Sequence, residues 1–332
     1  MSCPTIIDRL RKNQQEKGSR ICVPDACSRV GFAFSTKERV DFTRRALAAL
    51  DQHGGFDLIW LDGSDSVEAR ELPRACALQN ARLVETHLDV RGGPDRAICF
   101  GLRRLLDLGY DFCGLIENDI LLSPGWFPTL LELFHLAADE GLAVGAATVR
   151  NFASRVLDYR ARYTINWNIG AGMILFSRSA AQIIVNEYPN LVATTRQLAR
   201  FYAELCGVDL RGSWDLWAGR IDRRLSPDCG YDMALYRRGM ACVGSIPSLA
   251  EDLEFTVDQR GTGYVRSSQT GAGMQYPPLA RLRLFCMRLS TPIFWAAWGL
   301  LRGVPSLLWW LKSVTPEPPS QKASANGTST TA

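Results

Sequence analysis

Two carboxylates and an amide, Glu117, Asn118 and Asp119, follow a short apolar run in the middle of the chain. Charged side chains at the end of a buried strand must be exposed or take part in chemistry, because burying an unpaired charge is costly. Two carboxylates one residue apart can face one cation where the strand end is kinked, and such oxygen ligands suit Mg²⁺ or Mn²⁺. An alternative interpretation is a polar turn in which Asp119 caps a helix.

The elements that must position this motif alternate between strands and helices, and the motif itself ends one of the strands. The other strands are predicted at residues 30–34, 56–61, 81–87 and 142–149, and helices at residues 40–53, 66–80, 94–108 and 126–140. This alternation predicts an α/β fold with a mainly parallel sheet flanked by helices.

Three further polar clusters follow predicted strands, at residues 35–39, 62–65 and 92–96. In parallel sheets, ligands bind outside the carboxyl ends of the strands. We therefore expect these clusters to meet residues 117–119 at one edge of the sheet.

The second half of the chain is less regular. Its predicted elements are a strand at residues 163–176, helices at residues 177–187 and 198–206, and a strand at residues 242–246. The first of these strands carries Trp167 and Asn168. Before the last strand, a helical pattern contains Asp232 and stops at Gly239.

Composition is typical of a globular protein from a reducing compartment. The chain has 332 residues, 47% of them hydrophobic and 22% charged, which is enough for one large or two small domains. Its ten cysteines are scattered without a CxxC pair, so neither a zinc framework nor a disulfide scaffold is predicted. The three histidines lack the spacing of a zinc site, and residues 1–17 lack the apolar core of a signal peptide.

The net charge of +4 is unevenly distributed. Residues 259–316 hold seven of the 38 Lys and Arg residues and none of the 34 Asp and Glu residues, so the rest of the chain carries −3. This distribution argues against nucleic acid as a partner of the main body. It favours a local anionic partner such as a membrane surface.

Residues 279–314 carry four of the nine tryptophans, in two apolar runs that are each too short to span a bilayer. Aromatic residues flanked by Arg and Lys favour the headgroup boundary. We expect residues 259–314 to be a basic, aromatic membrane-associating segment with C-terminal interfacial helices. The alternative is a dimerisation surface or a lid. Residues 315–332 are rich in Pro, Ser and Thr and are predicted to be disordered.

The order of the motifs resembles that of the GT-A glycosyltransferases, most closely the family-2-like inverting enzymes that use nucleotide-diphosphate sugars. The similarity covers residues 29–246. Its motifs are Ser35-Thr36-Lys37-Glu38-Arg39, Leu61-Asp62-Gly63-Ser64-Asp65, Gly92-Gly93-Pro94-Asp95-Arg96 and Glu117-Asn118-Asp119. The last stands where the family has its Asp-x-Asp metal motif. The resemblance implies a GT-A (Rossmann-like) catalytic domain at residues 29–258, after an N-terminal extension at residues 1–28.

The resemblance implies that these motifs bind a nucleotide sugar. Asp62 would accept a hydrogen bond from a ring N–H of the base, or would simply form an Asx turn after its strand. Gly92 and Gly93 would let the backbone approach the ligand. Arg96 would offset diphosphate charge, or be a solvated helix residue. The other candidates for nucleotide-sugar binding are Ser35, Thr36, Arg39, Ser64, Asp65, Glu117 and Asn118.

In the same resemblance, Asp119 would bind a divalent cation, Mn²⁺ or Mg²⁺. Glu117 would be a second ligand, or contact the ribose or a metal-bound water. The ion would hold the diphosphate and stabilise it as it leaves. Many GT-A enzymes take a third ligand from a late histidine, but none follows His135. Waters would complete the shell, or one of Asp252, Glu254 and Asp258.

An inverting transfer also needs a carboxylate that takes the proton of the acceptor hydroxyl. The resemblance makes Asp232 the catalytic candidate, with Asp228 and Asp215 in reserve; alternatively, Asp232 only caps its helix. Side chains that suit the sugar or acceptor site are Trp167, Asn168 and Trp214, although a buried core position explains Trp214 equally well.

The sequence therefore predicts a hexosyltransferase-like glycosyltransferase that moves a sugar from a UDP- or GDP-type donor to a lipid-linked or cell-surface glycan, with inversion. It would act in polysaccharide biosynthesis as a peripheral protein on the cytoplasmic face of the membrane. One alternative is a sugar-phosphate nucleotidyltransferase, but residues 35–39 lack the glycines that its phosphate loop needs. Another is a non-catalytic, membrane-bound protein that binds nucleotide sugars.

Overall fold

A nine-stranded mixed sheet is the centre of the computed structural model, which describes residues 6–151, 156–191, 194, 197–198, 200–201, 205 and 228–253. The strands are β1 (Val30–Thr36), β2 (Asp57–Asp62), β3 (Arg82–His87), β4 (Phe112–Glu117), β5 (Ile120–Leu122), β6 (Ala143–Thr148), β7 (Val156–Tyr159), β8 (Tyr163–Asn166), β9 (Met173–Ser177), β10 (Met240–Ser245) and β11 (Ala250–Asp252). The helices are α1 (Ile6–Lys17), α2 (Val40–Leu50), α3 (Val67–Ala75), α4 (Pro94–Asp107), α5 (Trp126–Asp139), α6 (Arg178–Glu187) and α7 (Asp228–Arg237).

The strand order in the main sheet is β3-β2-β1-β4-β9-β6-β10-β8-β7. Strands β1 to β4 pair in parallel, and only β9 and β8 run against the other strands. This arrangement confirms the predicted α/β class with a mainly parallel sheet flanked by helices. Strands β5 and β11 form a separate two-stranded antiparallel sheet.

Two predicted elements differ from the structure. The strand predicted at residues 163–176 is two strands, β8 and β9, because the chain between them turns through Gly170, whose φ is +69°. The helix predicted at residues 66–80 ends at Ala75, since Cys76 is already extended. The short strands β5, β7 and β11 have too few residues to show an alternating pattern.

Strand register brings the predicted polar clusters to one edge of the sheet. Thr36, the last residue of β1, pairs with Asp62, the last residue of β2. On the other side of β1, Ser35 pairs with Glu117, the last residue of β4. The carboxyl ends of these three parallel strands are therefore level with one another.

An aromatic cluster between the sheet and α5 fixes this part of the fold. Phe32 packs edge-on against Phe56 and Trp126, with ring centroids 5.4 and 5.6 Å apart. Gly114 on β4 makes room for Phe32, because a Cβ there would lie 2.1 Å from its ring. Burying each such side chain stabilises the folded state by roughly 2 kcal/mol. This packing holds the strands β1 and β4 in place beneath the site.

The N-terminal segment, predicted as an extension, packs against the opposite edge of the sheet. In α1, Ile7 and Leu10 are buried. The Gln14 side chain accepts a hydrogen bond of 3.0 Å from the backbone N–H of Ala143, the first residue of β6. Gly239, just before β10, lies directly against the backbone of Gln14.

None of the described helices is both long and apolar enough to span a bilayer. Residues 259–314 and 315–332, for which a membrane-associating segment and a disordered tail are predicted, lie outside the described residues. Most of the predicted helix at residues 198–206 does too.

Candidate functional site

The 117–119 motif lies in the turn between β4 and β5, and Asn118 anchors it. The backbone N–H of Asn118 donates to the carbonyl of Ser35 over 3.1 Å. Its buried side chain donates from Nδ2 to Oγ1 of Thr43 on α2 over 3.0 Å. Asn118, predicted to bind the nucleotide sugar, therefore supports the turn from inside the fold.

Glu117 and Asp119 lie close together in a largely buried setting. Burial, and then the neighbouring carboxylate of Asp119, raise the pKa of Glu117 to about 7, whereas Arg150 acts in the opposite direction. Burial and Asp252 likewise raise the pKa of Asp119, against the effect of Arg39 and Arg150. Two carboxylates that repel each other at a strand end form a site that a cation would stabilise.

The two oxygens of Asp119 have different surroundings. Oδ2 accepts a hydrogen bond of 3.0 Å from Nη1 of Arg39. Oδ1 is buried and has no hydrogen-bond partner among the described residues. A buried carboxylate oxygen without a donor fits a hard cation such as Mg²⁺ or Mn²⁺. Within the described ranges, no group of three or more His, Cys, Asp or Glu side chains is arranged to hold a metal ion. The side chains of this motif that would hold such an ion are Asp119 and Glu117.

The loop after β1 carries Arg39 to this position in an unusual backbone conformation. Glu38 and Arg39 both have a φ of +51°, a backbone conformation that is sterically unfavourable for residues other than glycine. The Glu38 carboxylate holds the loop by accepting hydrogen bonds from the backbone N–H groups of Asp65 and Ser66, at 2.6 and 3.2 Å. The backbone N–H of Glu38 donates to Oγ of Ser64 over 2.7 Å.

Asp62 is fully buried at the end of β2. Its Oδ1 accepts hydrogen bonds from the hydroxyls of Thr36 and Ser64, at 2.9 and 2.6 Å. Its Oδ2 is buried and has no hydrogen-bond partner in the described part of the chain. The carboxylate is thus held by one oxygen, and the other can accept from a ligand that reaches it.

The remaining nucleotide-site candidates lie on the exposed rim. Asp65 is exposed and pairs with Arg91 over 2.6 Å. Gly92 and Gly93 have φ of +106° and +85°, so both need glycine, and Gly93 caps the start of α4. Arg96 is exposed, and its side chain folds over Gly92. These residues flank the site, and none of their described contacts joins them to Asp119.

Arg150, two residues after the end of β6, is a site residue that the motifs did not indicate. It forms an ion pair with Asp252 in which both side chains are nearly buried, 12% and 11% exposed. Asp252 was considered as a third metal ligand, and in the structure it holds this guanidinium. Arg150 follows a predicted strand, so the rule that polar residues at strand ends form the site could have found it.

The structure separates the two carboxylates of α7. Asp232 is fully buried and contacts the thiol of Cys242, inside β10. Asp228, at the start of the helix, is partly exposed and acts electrostatically on both Glu117 and Asp95. Of the two, Asp228 is the one whose charge acts on Glu117.

Two of the three candidates for a sugar or acceptor site, Trp167 and Asn168, lie between β8 and β9. Trp167 is partly buried and packs against the core, and Asn168 is buried. Trp214 and Asp215 lie outside the described residues, as do Glu254 and Asp258.

Fold and site together define an α/β protein with a carboxylate site, lined by two guanidinium groups, at the carboxyl edge of its parallel strands. No protein-family model matches the chain, and no curated protein matches it significantly.

Several solved structures are similar to the chain. TarS of S. aureus is 9% identical with a TM-score of 0.33, over 46% of this chain and 29% of TarS. A putative nucleotide-diphospho-sugar transferase from Desulfovibrio desulfuricans is 15% identical with a TM-score of 0.31, over 47% of this chain and 67% of its own. The glycosyltransferase GlyE of Streptococcus pneumoniae is 13% identical with a TM-score of 0.35, over 65% of this chain and 45% of GlyE.

Two of these proteins are described as a nucleotide-diphospho-sugar transferase and a glycosyltransferase. The chain spans less than a third of TarS and less than half of GlyE. With TM-scores of 0.31 to 0.35, these similarities do not assign an activity to the chain.

Proposed function

We propose that the chain is a glycosyltransferase that moves a sugar from a nucleotide-diphosphate donor of the UDP or GDP type to a hydroxyl of a glycan or lipid-linked acceptor, with inversion. The observation that carries this proposal is a pair of buried carboxylate oxygens, Oδ2 of Asp62 and Oδ1 of Asp119, that lack partners among the described residues. Both lie at the carboxyl edge of the parallel strands.

The spacing of these two carboxylates supports a nucleotide. Asp62 ends β2 and Asp119 follows β4, with β1 between these strands. Two strand spacings amount to roughly 10 Å. A nucleotide separates its base from its diphosphate on this scale, so Asp62 can accept from a ring N–H while Asp119 faces the phosphates.

A divalent cation, when bound, would neutralise the charge that develops on the departing diphosphate. Asp119 would hold it through Oδ1, and Glu117 through its neighbouring carboxylate. Arg39 binds the other oxygen of Asp119 and keeps that carboxylate oriented.

In the transfer itself, the acceptor oxygen forms a bond to the anomeric carbon while the bond from that carbon to the diphosphate breaks. The hydroxyl proton passes to a carboxylate on the acceptor side. We assign this role to Asp228 rather than Asp232, because Asp228 is partly exposed and its charge acts on Glu117, whereas Asp232 is enclosed beside Cys242.

Attachment to an anionic membrane surface, on its cytoplasmic face, is part of the proposal. It is supported by the basic and aromatic composition of residues 259–314.

A panel of UDP- and GDP-sugars, with Mn²⁺, Mg²⁺ or EDTA, tests the proposal through thermal stabilisation of the protein, since a bound ligand raises Tm. A donor that stabilises more strongly with the cation, and that is then slowly hydrolysed or transferred, is the expected result. Binding without turnover would favour the non-catalytic alternative. Absence of stabilisation by every donor would contradict the proposal.

A further inference from the structure

We propose that Arg150 binds the diphosphate of the donor directly, as a cation that the protein itself supplies beside Glu117 and Asp119. This inference rests on the proposed function. It adds a diphosphate-binding residue that none of the sequence motifs contains.

Arg150 lies next to the carboxylate motif. The backbone N–H of Glu117 donates to the carbonyl of Gly172 over 2.9 Å. Arg150 covers the same Gly172, because a Cβ there would lie 3.0 Å from its Nη1. The guanidinium therefore lies beside the hydrogen bond between Glu117 and Gly172 at the end of β4. Its charge lowers the pKa of both Glu117 and Asp119.

The backbone of Arg150 is fixed on both sides. Its own N–H donates to Oγ1 of Thr148 over 3.0 Å. The next residue, Asn151, is buried and donates from Nδ2 to Oγ1 of Thr164 and to the carbonyl of Ser245, at 2.7 and 2.8 Å. These contacts tie the chain after β6 to β8 and β10, so the guanidinium projects from a rigid base.

The side chain of Arg150 is oriented by Asp252, which lies on β11 opposite Ile120 of β5. The backbone N–H of the following residue, Leu253, donates to the carbonyl of Asp119 over 2.7 Å. The Asp252 carboxylate is thus built into the same small sheet as the motif. It holds and orients Arg150, as carboxylates behind a metal site hold and orient the metal-binding histidines.

A guanidinium can bind a carboxylate and a phosphate group at the same time. Its five N–H donors form a planar fork that matches phosphate oxygens as well as carboxylate oxygens, so one guanidinium can contact both groups. A lysine lacks this geometry. Because Arg150 would supply positive charge at this position, we expect the protein to keep part of its affinity for a nucleoside diphosphate when no divalent metal is present.

The test measures binding of UDP and GDP, and of uridine and guanosine, to the full chain in EDTA and in Mn²⁺. In EDTA, Arg150→Gln is expected to bind the diphosphate roughly tenfold more weakly than the unaltered protein, since one charged hydrogen-bonded contact is lost. Nucleoside binding is expected to stay unchanged, and Arg150→Lys to recover part of the loss. Arg162→Gln is the matched control, because Arg162 pairs with Glu132 at the surface.

The double variant Arg150→Gln/Asp252→Asn covers the case in which the single variant misfolds, since it leaves no unpaired buried carboxylate. It is expected to show the same selective loss. This inference alone would be overturned if a folded Arg150 variant bound the diphosphate as tightly as the unaltered protein. It would also be overturned if the variant lost nucleoside binding to the same extent, since that would indicate a structural role for Arg150. If the unaltered protein binds neither UDP nor GDP, the proposed function and this inference both fall.

Discussion

Arg39 donates from Nη1 to Oδ2 of Asp119 over 3.0 Å, although the two residues are 80 positions apart in the chain. The contact joins the loop after β1 to the turn after β4. It also determines which oxygen of Asp119 remains for a cation, because Oδ1 has no partner among the described residues. A charge contact between two loops therefore organises the proposed donor site, and variants of each loop test it separately.

Asp119→Asn is expected to reduce sugar transfer by roughly 100-fold or more, because the variant loses the charge that faces the cation and diphosphate. Its Tm without ligand should be equal or higher, since a buried charge is removed. Transfer kinetics and thermal unfolding measure the two effects. Asp41→Asn, on the exposed side of α2, is the control. Unchanged transfer in Asp119→Asn would show that this carboxylate is not part of the site.

Asp62→Asn is expected to weaken UDP or GDP binding about tenfold, because an amide N–H₂ at the position of Oδ2 would meet the donor N–H of the base. Calorimetry on the folded variant measures the change. Asp107→Asn, at the exposed end of α4, should bind like the unaltered protein. If Asp62→Asn binds with full affinity, Asp62 only stabilises the turn through Thr36 and Ser64.

Asp228→Asn is expected to lower kcat by roughly 100-fold with donor affinity retained, as for loss of a general base. Asp232→Asn should instead alter Tm, because Asp232 is enclosed beside Cys242. Steady-state kinetics and thermal unfolding of the two variants separate these roles. A stable Asp232→Asn protein without turnover would return the role of base to Asp232.

Gly172→Ala is expected to weaken diphosphate binding without changing a charged group. A Cβ at this position would lie 2.9 Å from Ile120 and 3.0 Å from Nη1 of Arg150, so the guanidinium must move. Binding of UDP or GDP in EDTA measures the effect. Gly18→Ala is the control: a Cβ there meets nothing within 4 Å, so the variant should bind normally, although its φ of +65° makes alanine costly for stability. Normal binding by Gly172→Ala would mean that Arg150 tolerates displacement.

Glu85 provides a test of pH dependence away from the site. The Arg104 guanidinium, which donates to it over 2.7 Å, and His87 lower the pKa of Glu85 from 4.5 to about 2. A carboxylate whose pKa is lower in the folded state stabilises the protein above its unfolded pKa and loses that effect as the pH falls. Glu85→Gln should therefore lower Tm at pH 7, and the difference should shrink between pH 4.5 and about 2.

Thermal unfolding across this pH range gives the comparison for Glu85→Gln. Glu68→Gln is the control, because Glu68 is exposed and its pair with Arg44 is 3.5 Å long. A Tm difference for Glu85→Gln that does not change with pH would contradict the prediction.

The sequence indicated which strand ends meet at the candidate site, but not the contacts that its residues make. Residues that end consecutive strands, such as Asp62 and Glu117, could be placed because parallel strands bring their carboxyl ends to one edge. The role of Asn118 could not, since nothing local shows that its amide reaches Thr43. Arg150 and Asp252 are 102 positions apart, and only the folded chain brings them together.

Asp232 illustrates the limit of motif reasoning. Its surroundings in the sequence place it on a helix, but the direction of its side chain depends on how that helix packs on β10. Gly230 lies against the carbonyl of Leu191, where a Cβ would be only 1.9 Å away. That close approach sets how the helix lies, and no local pattern encodes it.

The position of α1 has a practical consequence. The Gln14 side chain of α1 hydrogen-bonds to the first residue of β6, at the amino end of that strand. The proposed donor site lies at the opposite, carboxyl ends of the parallel strands. A protein immobilised through a tag that precedes α1 would be held at the edge opposite this site. That geometry suits surface-based measurements with large glycan ligands. A shortened chain that begins at Arg29 would lose α1 and uncover the apolar surface that Ile7 and Leu10 bury, so it should aggregate.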